Sequence, residues 1–259
     1  DQGVTILASA ADLNLIGSVH SSAGYVDIRA FNELDIDGAV YGQADVSLFG
    51  ENGFVDLAAV ASNNGTVTIS GNTLTLNGAI SGDAVDIHAY GAYASSAGSI
   101  SFFGNITSDV GSVSLTTEDN LIQGYGSGTN ILGYGGVSIL MQGDEGHLSF
   151  LNDVSSSNGN VVITSEAIDG RGISVDGALQ AYGNLDLTAL AGNIAFGAGG
   201  ADAETGYLSA NSTTLGFLFS DLSAGTDVTL TVTGGGNGIR LNHNITAGGV
   251  ITATATNSA

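Results

Sequence analysis

Glu33, Asp35 and Asp37 occupy alternate positions early in a chain of 259 residues. On an extended strand that spacing puts three carboxylates on one face, and Asp12 and Asp56 could flank them from adjacent units. Hard oxygen ligands stacked in this way could hold Ca²⁺, or the acids could simply solvate the surface. The G-G-x-G-x-D repeat that builds calcium-binding solenoids is not in the sequence. Two adjacent acid pairs, Glu118-Asp119 and Asp144-Glu145, offer the residue type a glycoside hydrolase needs. His20, His88, His147 and His243 are scattered, with no spacing that would converge three or four metal ligands. Tyr90, Tyr93, Tyr125 and Tyr134 are half of the eight tyrosines. They could form an aromatic platform for a glycan or a neighbouring fibre, or they could lie down over apolar edges of the fold.

Charge narrows the field. The chain carries 25 Asp and Glu against three strong cations, Arg29, Arg171 and Arg240, for a formal charge of −22. Such a field repels nucleic acid, anionic membrane surfaces and acidic polysaccharides, and it could attract divalent cations. A polysaccharide lyase needs a cation to neutralise a uronate and a base to take the proton, and the sequence is poor in the first. No cysteine is present, so thiols say nothing of compartment. No apolar run approaches the roughly 18 residues of a membrane span.

What must position these side chains is a repeat. Short strands alternate apolar and small polar residues: Val4-Thr5-Ile6, Val26-Asp27-Ile28, Val46-Ser47-Leu48, Val67-Thr68-Ile69, and so on to Val250-Ile251-Thr252. They recur about every 22 residues, the size of one supersecondary unit of a stacked array. A long gap after Leu185 predicts one further turn starting near Leu215. Inside each unit a second phrase recurs, LDIDGAVY at 34–41, LTLNGAIS at 74–81 and ISVDGALQ at 173–180. Its apolar residues alternate, then a Gly or Asn follows: Gly17, Gly38, Gly78, Gly104, Asn152 and Gly177. These predict corners with positive φ, where a Cβ is penalised.

Each unit is thus three short strands and two or three corners, too small to bury its own apolar face until it stacks on a copy of itself. The expected fold is all-β: one right-handed parallel β-helix over residues 1–259, about 11–12 coils of roughly 22 residues. Loop insertions are expected near 88–98, 117–136 and 197–206, where the rhythm breaks. The absence of proline suits strands flanked on both sides.

Units such as GTVTISGNTLTLNGAIS and GNVVITSEAIDGRGISVDGALQ resemble the haemagglutinin-type repeats of filamentous, two-partner-secreted bacterial adhesins. The likeness covers almost the whole chain and rests on small and apolar residues. It implies a secreted, cell-surface fibre of a Gram-negative bacterium, with roles in attachment, biofilm or cell contact. The Asn-Pro-Asn-type motifs of the family's secretion domain have no counterpart here, since the chain has no proline. The match is therefore to the shaft alone.

The expectation is a non-enzymatic extracellular shaft or adhesin, without a required cofactor. Its partners would be a host or matrix glycan or protein receptor, or further copies of itself. Both ends read as open strands, as in a piece of a longer fibre or a subunit stacking end to end. The alternatives are a hydrolase, a Ca²⁺-dependent solenoid, or an ice-binding one. Ice binding would use Thr73/Thr75, Thr229/Thr231/Thr233 and Thr252/Thr254/Thr256, whose spacing does not predict recurrence at one position of successive coils.

Overall fold

A computed structural model describes residues 2–91, 98–118, 121–125, 128–143, 147–150, 152–168, 172–213, 217–234, 238–241 and 243–256. Every regular element among them is a strand. The first coil sets the pattern: β1 (Val4–Ala8), β2 (Leu13–Leu15) and β3 (Val19–Ser21). Each later strand pairs in parallel with the equivalent strand of the coil before it, and all but the last of each ladder also with that of the coil after it. The result is three sheets of 12, 11 and 11 strands, named here first, second and third after β1, β2 and β3. The chain is therefore a β-solenoid, three-sided, with strands about 4.8 Å apart from coil to coil.

The register shows why the phrases repeat. Leu13 pairs with Leu34, Leu34 with Val55 and Val55 with Leu74. The same column reaches Leu148 and Ile173. Val26, Val46 and Val67 form an equivalent column in the first sheet. Apart from Leu13, which is partly buried and packs against it, these side chains are buried to within about one per cent and belong to one continuous core. Each fully buried aliphatic contributes about 1.5–3 kcal/mol before chain entropy is subtracted. Volume is conserved along a column where it must be. Phe102, the largest fully buried side chain, is in register with Gly124 of the next coil.

The third sheet ends on small residues: Ser21, Gly42, Ser62, Gly82, Ser108, Gly133 and Ser156. The corner there leaves little room, and the buried hydroxyls are satisfied locally. Ser62 Oγ donates to the Ala44 carbonyl at 2.7 Å and Ser108 Oγ to that of Gly111 at 2.8 Å.

Three sequence expectations need correction. The corner glycines Gly17, Gly38, Gly78, Gly104 and Gly177 do not have positive φ; that conformation occurs at Gly128, Gly136, Gly143, Gly192, Gly200 and Gly238. At Gly38, Gly78, Gly104 and Gly177 the stacking of coils leaves no room for a β-carbon. A β-carbon on Gly104 would lie 2.5 Å from the carbonyl carbon and oxygen of Gly78 one coil below, whereas at Gly17, in the first coil, it would meet nothing. Asn152 occupies the same corner with a side chain turned along the stack, its Nδ2 donating to Thr129 Oγ1 at 2.8 Å.

Second, the described residues of 117–136 and 197–206 include strands that continue the coil. The first holds strands Ile122–Gly124 and Ile131–Gly133, the second strand Ala201–Ala203, all in register with their neighbours. Glycine and tyrosine hide the alternation there. Of 88–98, residues 92–97 lie outside the described residues, and His88 and Ala89 belong to a first-sheet strand. Third, the extra turn begins at Leu208, not near Leu215: the strand Leu208–Ser212 places Ala210 where other coils carry Ile or Leu, which weakens the pattern.

Candidate binding edges

The three-sided shaft has three edges, and each coil contributes one or two outward residues to each. The structure distributes the expected tyrosines over all three. Tyr90 follows the first-sheet strand Ala84–Ala89, Tyr125 follows the second-sheet strand Ile122–Gly124, and Tyr134 follows the third-sheet strand Ile131–Gly133. They do not share a platform, and Tyr93 lies outside the described residues. A linear spacing cannot reveal this, because a step of one strand moves a residue to a different side of the prism.

Each tyrosine has its own surroundings. Tyr90 is half-buried, its ring 4.2 Å from that of His88 and edge-on to Phe49 at 6.4 Å. His88 Nε2 lies 3.2 Å from Glu118 Oε1, though not aligned for a hydrogen bond. Tyr125 stacks on Phe103 of the preceding coil at 5.0 Å and 14°, and its hydroxyl donates to Gln123 Oε1 at 2.5 Å. Tyr134 is exposed and makes no ring contact among the described residues.

Beside Tyr134 is a groove of about 330 Å³. Thr107, Leu132 and Ser155 form its outward column on the third sheet, paired strand to strand. Asp109, Tyr134 and Ser157 form the adjoining column one corner further on. The main chain of the second column is held by the coil below: the Tyr134 amide donates to the Ser108 carbonyl at 3.1 Å and the Ser157 amide to that of Gly133 at 3.2 Å. Among the described residues, no side-chain hydrogen bond occupies the oxygens of Thr107, Asp109, Ser155 or Ser157. A second groove of about 250 Å³ lies on the first edge, lined by Leu7, Arg29, Phe31, Phe49 and Glu51. There Arg29 Nε is 2.9 Å from Asp27 Oδ1, and this hydrogen bond raises the guanidinium pKa further.

The acids separate. Asp35 is in register with Asp56, which pairs with Thr75 above it. Asn14 Nδ2 donates to Asp35 Oδ2 at 3.0 Å and Asn77 Nδ2 to Asp56 Oδ1 at 2.5 Å. Burial raises the Asp56 pKa, helped by the charges of Asp35 and Asp37 and opposed by the Asn77 hydrogen bond. Asp12 Oδ1 accepts the backbone amide of Glu33 at 3.4 Å. Among the described residues, no group of three or more His, Asp or Glu is arranged to hold a metal ion. Asp119, Asp144 and Glu145 lie outside the described residues.

A network that the sequence reading missed runs along the corners. Asn105 Oδ1 accepts the Asn130 amide at 2.9 Å, Asn130 Oδ1 that of Asp153 at 3.2 Å, and Asp153 Oδ1 that of Ala178 at 2.8 Å. Asn160 and Asn184 repeat the motif on another corner, accepting the amides of Asn184 and Tyr207. The signal was present as Asn or Asp just before many strands. Its use is legible only once coils are aligned.

The threonines also differ from expectation. Thr229 pairs with Thr252 and Thr231 with Thr254, so these do recur on adjacent coils of the first sheet. One coil earlier the positions hold Ser209 and Asn211. Thr73 and Thr75 are in the second sheet, on a different side.

No helix of the described residues is long and apolar enough to cross a membrane, which says nothing of a strand-built barrel. Compared with known proteins, the chain matches no family model, no curated protein and no solved structure.

Proposed function

We propose that this chain is part of an extracellular structural and adhesive shaft, of the kind haemagglutinin-type repeats build in filamentous bacterial adhesins. The observation that carries the reading is the unbroken register of the three ladders through the described residues. Stacked backbone hydrogen bonds over a continuous core resist bending and stretching, because deforming one coil strains its neighbours. Regular outer edges then present side chains at fixed intervals to a surface, a receptor or a neighbouring fibre. The acidic exterior keeps such rods apart in solution and disfavours polyanionic partners.

Surface display tests the reading. A non-adherent bacterial strain displaying the chain is expected to attach to protein- or glycan-coated surfaces several-fold better than a strain displaying nothing. The Leu115→Asp variant, with a charge in the core, is expected to lose that gain. Attachment no better than the control would overturn the adhesive reading. Release of reducing ends from a polysaccharide by the purified chain would replace it with the hydrolase.

A further inference from the structure

We propose that the groove beside Tyr134 is a binding subsite for a neutral saccharide; this rests on, and makes specific, the adhesive reading. Sugars are bound where an aromatic face meets the apolar C–H side of a ring while polar groups around it satisfy the hydroxyls. Both halves are here. Tyr134 is 45% exposed with no other ring against it among the described residues, and Leu132 lies beside it as apolar floor. Around them Thr107, Ser155 and Ser157 offer hydroxyls that donate or accept, and Asp109 offers a carboxylate that can take two neighbouring sugar hydroxyls. These groups face water and have no side-chain hydrogen bond within the described protein, so a ligand need not break one to engage them.

The surroundings favour this class over others. Among the described residues the only charged side chain in the lining is an acid, and the chain as a whole is strongly negative, which opposes uronates, sialic acids, phosphates and nucleic acids. The groove is shallow and open along the shaft. Its two columns advance by about 4.8 Å per coil, comparable with the advance of one sugar ring in an extended chain. The ladder fixes the backbone beneath each contact residue, as the Tyr134 and Ser157 amide bonds show, so little ordering remains to be done on binding.

The other two edges fit less well. On the first, Arg29 is already engaged by Asp27. On the second, Phe103 covers the Tyr125 ring.

The test is titration of the purified chain with neutral hexasaccharides of glucose, mannose and N-acetylglucosamine, and with a sialylated and a polyuronate oligomer, followed by ligand-observed NMR. Binding of at least one neutral oligomer is expected. Tyr134→Ala should weaken it about tenfold or more and Asp109→Asn about fivefold, with melting temperatures unchanged. Tyr125→Ala, on another edge, should leave it as it is. Failure of every neutral oligomer to bind, preference for the acidic ones, or binding indifferent to both groove variants overturns the proposal. If displayed Tyr134→Ala still promotes attachment while neutral oligomers do not bind, only the subsite falls and the shaft stands. Loss of attachment by the parent chain removes the broader reading.

Discussion

The side chain of Asn130 accepts the backbone amide of Asp153, one coil further along the shaft, at 3.2 Å. At a corner the β-ladder is interrupted, and an amide there would otherwise depend on water. The side chain continues the ladder across the gap, in the way that an N-cap residue serves a helix. Asp153 does the same for Ala178 at 2.8 Å, so one corner carries a relay through successive coils.

Removing one member should therefore cost about 1 kcal/mol. Asp153→Ala is expected to lower stability by that amount and Asp153→Asn by much less, since the amide oxygen can still accept. Chemical denaturation checks both. Asn130→Ala combined with Asp153→Ala should depart from additivity, because the two belong to one hydrogen-bond network on adjacent coils, although each serves a different amide.

The corner glycines make a sharper test. Gly104→Ala is expected to destabilise by about 1–3 kcal/mol, since its β-carbon would press on the Gly78 backbone, which cannot swing aside. Gly17→Ala, with open space around it, should stay within about 0.5 kcal/mol. Equal costs at the two sites would point to local backbone conformation instead of stacking. Melting curves of the two variants decide it.

Phe102 fills the core opposite Gly124. Phe102→Ala should cost about 3–5 kcal/mol. In a stacked array the loss is felt first by the coils that touch it. Hydrogen exchange should show protection falling around Ile100–Phe102 and Ile122–Gly124 before it falls in the distant first-sheet strand Val26–Ala30.

Asp56 predicts a pH dependence with a definite sign. Its folded-state pKa is raised, by burial first and by Asp35 and Asp37 next, so the folded state holds the proton more tightly than the unfolded chain. The stabilisation from protonation is fully present below the ordinary carboxylate range and is lost as pH rises through the raised value. Asp56→Asn keeps an oxygen for Asn77 and removes the charge. It should raise the melting temperature at pH 7 and leave it nearly unchanged once pH falls below the ordinary carboxylate range. An unchanged melting temperature at pH 7 would contradict this account.

The alternation Val-x-Ile and Leu-x-Leu, recurring about every 22 residues, was enough by itself to determine the fold class. A unit with one apolar face and no room for a core must stack, and the column Leu13, Leu34, Val55, Leu74 follows from that alone. Where the alternation is diluted, the reading fails: at Leu208-Ser-Ala-Asn a coil start is missed, and around Gly124 and Gly133 two strands read as an insertion, which hides the neighbours of Tyr134. Which side of the shaft a residue faces depends on how many strands and corners precede it. Tyr90, Tyr125 and Tyr134 are therefore close in sequence and apart in space. Thr107, Leu132 and Ser155 are far apart in sequence and adjacent in space. The sequence determined that the chain would coil because hydrophobic periodicity is a local property. Only the tertiary structure decided what each edge presents, because register between coils is set by the whole stack.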